Sequence, residues 1–152
     1  MPELAISDTS CLIVLSKIGE LDLLQVRYGR VLIPPKVAQK YEDHLPIWIE
    51  IQEPSTRSML RLAKFKLDPG EREAIALALD KQGSHAILDD QAARETAEHL
   101  HLKITGTLGV LIKSKQTGLI PAITPLIEKI RQTDFRMSEA IILKALKEAG
   151  EI

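Results

Sequence analysis

Cysteine is almost missing from this chain. Cys11 stands alone among 152 residues, so an intramolecular disulfide cannot form and a cysteine-rich metal centre is excluded. It lies in the apolar run CLIVL, where a lone thiol reads as a small buried hydrophobe rather than a nucleophile. Aromatic residues are nearly as scarce. Two Phe, two Tyr and one Trp argue against the aromatic platforms on which single-strand-binding proteins stack bases. No sign of charge dominates either: 20 basic residues against 21 acidic give a net charge of −1, so a polyanion would need a local basic patch. No apolar run approaches the roughly 20 residues of a membrane span. The opening MPELAISD has neither a basic leader nor an apolar segment of signal length. These absences together give the expectation of a cytoplasmic protein in a reducing compartment, with no membrane partner.

Several motifs are missing as well. There is no GxSxG elbow and no Walker-type phosphate loop. Asp8-Thr9-Ser10 is not the DxD of haloacid-dehalogenase-type phosphatases. The acidic pair Asp89-Asp90 comes too late for a response-regulator receiver. His44, His85, His99 and His101 share no compact metal-ligand spacing, and His99 and His101 fall on different helix faces.

What is present is an alternation of short aliphatic runs with longer helical patterns. Leu4-Ala5-Ile6, Val31-Leu32-Ile33, Ala86-Ile87-Leu88 and Lys103-Ile104-Thr105 read as strands. Helical periodicity covers 10–18, 21–28, 36–43, 71–81, 91–101 and 108–116, with another helical stretch at 55–65. IWIEIQEP at 47–54 alternates like an edge strand. The pattern predicts an α/β fold, with a parallel sheet of about four or five strands sandwiched by helices; few polar positions interrupt the strands, as burial on both faces requires. Pro34-Pro35 can open a helix, and Asp68-Pro69-Gly70-Glu71 reads as a capping box. After Gly118 two more helical patterns follow, 123–131 and 138–149, with no further strand. Residues 1–120 are therefore expected to form the α/β unit and 121–152 a helical C-terminal extension of the same domain, its apolar stripes mostly packed on that unit.

Ligands of open parallel sheets collect at the carboxyl ends of the strands. Asp8 lies just beyond the first strand, and Asp89 and Asp90 just beyond a later one, about 80 residues away in the chain. Glu73 opens a helix whose continuation, AIALAL, reads as buried almost all round. Each acid also has a bland explanation: Asp8, Asp89 or Asp90 could cap a following helix, and the capping box already occupies Glu71. Two carboxylates about 5 Å apart repel by roughly 3 kcal/mol at an effective dielectric near 20. A cation, or a retained proton, relieves such a cluster. Hard oxygen ligands with few histidines select Mg²⁺ or Mn²⁺ over Zn²⁺.

With these residues in view, the chain resembles the PIN-domain family, the fold of metal-dependent ribonucleases such as VapC-like toxins. The likeness runs through Asp8-Thr9-Ser10, Ile33-Pro34-Pro35 with Val37, and Gly70 to Ala78. It continues through Leu88-Asp89-Asp90 with Arg94, and Gly106-Thr107 with Gly109. It implies a Mg²⁺- or Mn²⁺-dependent endoribonuclease, the toxin of a type II toxin–antitoxin pair, with RNA as substrate, a cognate antitoxin as partner and a homodimer as assembly. By position, Asp8, Glu73 and Asp90 would hold the metal, with Asp89 and Glu42 as further catalytic acids. Thr9, Ser10, Glu71 and Thr107 would be polar supports, and Arg94, Lys40, Lys36, Lys113 and Lys115 candidate phosphate contacts. Lys40 stands where the family commonly has Glu, with Glu42 two residues on. That departure keeps open the alternative of a catalytically weakened RNA- or protein-binding module.

Overall fold

The computed structural model describes residues 3–152; the first two residues of the expected 1–120 unit lie outside this range. Its strands are β1 (Leu4–Ser7), β2 (Arg30–Ile33), β3 (Ile49–Ile51), β4 (His85–Ile87) and β5 (Lys103–Thr105). They form one all-parallel sheet in the order β3-β2-β1-β4-β5. The helices are α1 (Thr9–Lys17), α2 (Asp22–Arg27), α3 (Pro35–Lys40), α4 (Thr56–Arg61) and α5 (Pro69–Asp80), then α6 (Gln91–His99), α7 (Thr107–Gln116), α8 (Thr124–Arg131) and α9 (Glu139–Glu148). The α/β class, the parallel sheet and the edge position of the IWIEI segment are as the sequence predicts. Among the described residues no helix is long and apolar enough to cross a membrane.

The register explains why the strands read as unbroken apolar runs. Ala5 pairs with Val31, and Ile6 with Leu32 and Ala86, so successive side chains go to opposite faces. Ala5, Val31, Ile33, Ile49 and Ile87 enter one core, shared with α1, α2, α7, α8 and α9. Ile6, Leu32, Ala86 and Leu88 enter a second, shared with α5 and α6. Helix α5 packs on β1 and β4 while α3, α4 and α6 cover its flanks. That is why Ala74 to Ala78 are all buried, beyond the single stripe of an ordinary surface helix. The C-terminal helices join the first core: Leu126, Ile127 and Ile130 of α8 with its N-cap Ile123, and Ile142 and Ala145 of α9 with its C-cap Ala149, are buried there.

Apart from α2, whose start at Leu21 has no side-chain cap, the helix starts divide into two kinds. Asp8, Ser55, Asp90 and Ser138 cap their own helices, and Asp68 with Glu71 forms the capping box of α5. By contrast α3, α7 and α8 begin at Pro34, Gly106 and Ile123, which offer no capping side chain. Their free amides are met by carboxylates from elsewhere in the fold. Glu73 Oε1 accepts from the Lys36 amide at 2.9 Å. Asp89 Oδ1 accepts from the Thr107 amide at 2.8 Å. Glu151 accepts from the amides of Ile123 and Thr124 at 2.7 and 2.9 Å.

Candidate active site

The chain runs outward from β1 in two directions, through β2 to β3 and later through β4 to β5. The reversal falls between β1 and β4, and it opens a crevice beyond their carboxyl ends, where ligands of such sheets bind. Asp8 leaves β1 there and Asp89 follows β4. The Asp8 amide still donates to Ile87 O at 3.0 Å, which holds the two strand exits side by side.

The two carboxylates are built into one hydrogen-bonded unit. Asp8 Oδ1 accepts from the Cys11 amide at 2.9 Å and caps α1; its Oδ2 accepts from the Asp89 amide at 2.9 Å. Asp89 Oδ2 accepts from Thr107 Oγ1 at 2.6 Å. Ser10 Oγ bridges the pair, 3.2 Å from Asp8 Oδ2 and 3.0 Å from Asp89 Oδ2. Gly106 makes room for this arrangement: a Cβ there would lie 2.9 Å from both Asp89 Oδ1 and Arg94 Nη1. Gly109 has a similar cause, since its Cβ would fall 2.0 Å from Thr105 Oγ1; the side-chain-free position lets α7 lie against the end of β5. Cys11, fully buried beneath the pair, has its thiol pushed up by that burial and by the charges of Asp89 and Asp8, which suits a packing residue and not a nucleophile.

Proton arithmetic at Ser10 decides what the pair needs. A hydroxyl has one proton, yet Ser10 Oγ touches a carboxylate oxygen on each side. With both acids ionised, one of these contacts brings oxygen lone pairs together. Burial, reinforced by the negative charge of Asp89, accordingly pushes Asp8 up to about 7, against the hydrogen bonds from Cys11, Asp89 and Ser10. Either a retained proton or a cation relieves the contact.

Among the described residues no three His, Cys, Asp or Glu side chains come close enough to form a ready-made metal cluster. Mg²⁺, however, is commonly held by one or two carboxylates and completes its shell with water and substrate phosphate. Asp8 and Asp89 accept five hydrogen bonds between them, two each from other donors and one from the Ser10 hydroxyl to either partner, where each carboxylate can take roughly four, so each keeps an open position. An all-oxygen, like-charged pair with spare lone pairs fits a hard divalent cation.

The other candidate residues are placed less uniformly. Asp90 Oδ2 caps α6 through the Ala93 amide at 3.0 Å, and Asp90 lines the crevice with Arg94. Arg94 spends one donor on Leu88 O at 2.9 Å and keeps the others. Burial, with the charges of Asp68 and Asp90, pushes Glu71 above its ordinary value, so the α5 capping box lies on the same acidic rim. Lys40 borders that rim, its Nζ 3.5 Å from Asp68 Oδ2. Glu73 is turned to the start of α3, and Lys36 meets it through its backbone amide. Glu42 is exposed in the segment after α3, and Thr9 is the first residue of α1. Lys113 bears on Glu3 and His85, at the amino ends of β1 and β4 and so at the opposite end of the sheet from the acidic pair. Lys115 is bound to Ala149 O and Glu151. Of the acids expected to hold metal, Asp8 thus meets Asp89 and not Glu73. The signal for this was in the sequence, since Asp89 directly follows the strand run, but cap and ligand readings of Asp89 and Asp90 are indistinguishable without the fold.

A parallel α/β sheet with an oxygen-rich acidic pair at its switch point belongs to the class of folds that bind charged ligands at the strand ends. A family model for the PIN domain matches residues 4–151. The chain belongs to the PIN-domain family, whose members are generally nucleases and typically bind divalent metals. No curated protein and no solved structure matched the chain.

Proposed function

We propose that this protein is a Mg²⁺- or Mn²⁺-dependent endoribonuclease and the toxin of a type II toxin–antitoxin pair. The observation that carries the enzymatic part is the Asp8–Asp89 pair at the switch point, Asp8 buried and Asp89 half-buried, bridged by one Ser10 hydroxyl. Asp8 and Asp89 are the residues that would hold the cation, with Asp90 beside them at the rim. When bound, such a cation supplies an activated water and offsets charge on the phosphodiester during in-line displacement. Asp8 is fixed by the α1 amide and the Asp89 amide; Asp89 is fixed by Thr107. The site therefore needs little rearrangement to present its oxygens. Arg94 turns its remaining guanidinium donors to a phosphate oxygen, for which its planar fork is suited. Pairing with a neighbouring antitoxin and a homodimeric assembly follow from the family resemblance.

The test is cleavage of unstructured RNA by the purified chain with Mg²⁺ or Mn²⁺, against EDTA and against Asp89→Asn and Asp90→Ala. Metal-dependent cleavage that Asp89→Asn abolishes while the protein stays folded supports the reading; equal cleavage by wild type and Asp89→Asn refutes it. A second reading, a binding module with a weakened site, draws on Lys40 paired with Asp68 and Glu73 used as a cap. Absence of cleavage with either metal, together with retained RNA binding, selects it.

A further inference from the structure

A groove of about 650 Å³ leads away from Asp89 and Asp90, between the β5–α7 corner and helix α9. Leu108 and Ile112 of α7 form one wall and Ile141 of α9 the other, with Phe135 and Arg136 of the α8–α9 connection alongside. A second cavity, of about 370 Å³, lies on the other side of Phe135 and has Ser10 in its wall. Phe135 and Arg136 line both, so this connection stands next to the bridged acidic pair.

From this arrangement we infer that the groove is a binding track for single-stranded RNA, in which Phe135 stacks one base near the scissile phosphate while Arg136 and Lys144 hold the backbone. The inference rests on the nuclease reading for its substrate class and extends it to residues outside the acidic site. Three observations support it. First, the groove is continuous with Asp89 and Asp90, as a strand passing through the site requires. Second, Arg94, Arg136 and Lys144 bring three positive charges to the groove, and among the described residues none of them is held by an ion pair, as Lys17 and Lys115 are. Asp134, next to Arg136 in the chain, is taken by Lys17 at 2.8 Å. Glu148, one turn beyond Lys144, is the acid on that side of the groove. Third, Phe135 is fixed before any ligand arrives. Its amide donates to Thr133 Oγ1 at 3.2 Å, Thr133 is tied back to Ile130 O, and its ring rests on the first core.

An aromatic face beside free cations suits a chain whose bases are unstacked and whose phosphates are accessible. In a duplex the base faces are stacked away and only shape and backbone can be read. The scarcity of aromatics thus excludes a stacking platform of several rings but leaves this one.

The experiment measures equilibrium binding of a short, fluorescein-labelled, unstructured RNA to the full chain by anisotropy in EDTA, where cleavage does not interfere. Phe135→Leu keeps the wall apolar and removes the ring; its expected effect is a loss of about tenfold in affinity. Arg136→Gln and Lys144→Gln should each lower the slope of log K against log salt by about 0.7. Lys147→Gln, exposed on α9 outside the groove, serves as the control, and the same RNA annealed to its complement should bind more weakly. Lys144→Glu, a fully surface change, keeps the test valid if Phe135→Leu unfolds. Groove variants that bind like wild type, or a duplex that binds as tightly as the single strand, overturn the proposal, and so does a wild type that binds no RNA. If wild type binds through the groove but never cleaves, the groove stands and the nuclease reading falls. If it cleaves and the groove variants cleave and bind unchanged, the reverse holds.

Discussion

Replacing Asp89 by Asn tests the electrostatics of the acidic pair with the smallest change of shape. Asn keeps an oxygen for the Thr107 amide, and its amide group meets the hydroxyls of Thr107 and Ser10, which can turn to accept. In the wild type Asp8 is pushed up to about 7 from an ordinary value of 3.8, by burial first and the charge of Asp89 second. Between those two pH values the native state binds the proton and the unfolded chain releases it. Stability therefore falls as pH rises through that window, by about 4 kcal/mol in all. Coulomb's law for charges about 6 Å apart at an effective dielectric near 20 gives roughly 3 kcal/mol for the pair. Burial is the larger cause, so that figure is a ceiling, and Asp89 is expected to supply about 2 kcal/mol.

The expectation is a crossover in thermal stability, measured by circular dichroism in EDTA across pH. Near pH 4, with Asp8 protonated in both proteins, Asp89→Asn and wild type melt together. Near pH 8 the variant melts about 4–8 °C higher, at 2–4 °C per kcal/mol for a domain of this size. Saturating Mn²⁺ at about a hundredfold over its dissociation constant stabilises the wild type by about 2.7 kcal/mol and leaves the variant nearly unchanged, so the order inverts. A variant whose difference from wild type is the same at every pH would refute the repulsion argument. One that gains as much from Mn²⁺ as wild type would refute the metal argument.

Three further outcomes follow from the fold. Glu73→Ala should cost about 1 kcal/mol by leaving the Lys36 amide without a cap, while Glu73→Gln, which keeps an acceptor, should melt like wild type; equal losses in both would show that the cap is not what Glu73 contributes. Gly106→Ala should abolish the Mn²⁺-dependent rise in melting temperature, because its Cβ meets Asp89 Oδ1 and Arg94 Nη1 at 2.9 Å; an unchanged metal response would show that the pair tolerates the displacement. At Glu151, burial opposes the charge, but the amides of Ile123 and Thr124, the Thr124 hydroxyl and Lys115 outweigh it and hold the carboxyl down to about 2. The stability it supplies is present above the ordinary carboxylate value and lost as pH falls from about 4.5 through about 2. Glu151→Gln should therefore lower the melting temperature at pH 7 and progressively less toward pH 2; a constant deficit would place the effect in packing instead.

What the sequence reveals depends on how local the cause is. The strands are legible because aliphatic runs of that length have few alternatives, and the capping box of α5 because Asp68 and Glu71 lie three residues apart. The ends of α3 and α8 are less so. Helical periodicity carries α3 to Asp43, yet the helix stops at Lys40, and the carboxylate that completes its start comes from α5. The same distance hides the acidic pair: Asp8 shows as a strand-end acid, but its choice of Asp89 over Asp90 depends on which residue's amide points across from β4. Phe135 and Arg136 left no signal at all. They lie in a short connection between two helices, and only the packing of α8 and α9 on the first core carries that connection to the mouth of the crevice.

Glu151 fastens α8 to the end of α9 and to Lys115 on α7, and α8 leads directly into the segment that carries Phe135. Trimming residues 150–152 would thus be felt at a distance, as slack in the strap beside the acidic pair. Hydrogen exchange at the amides of Thr124 and Phe135 would register both ends of that linkage in one measurement.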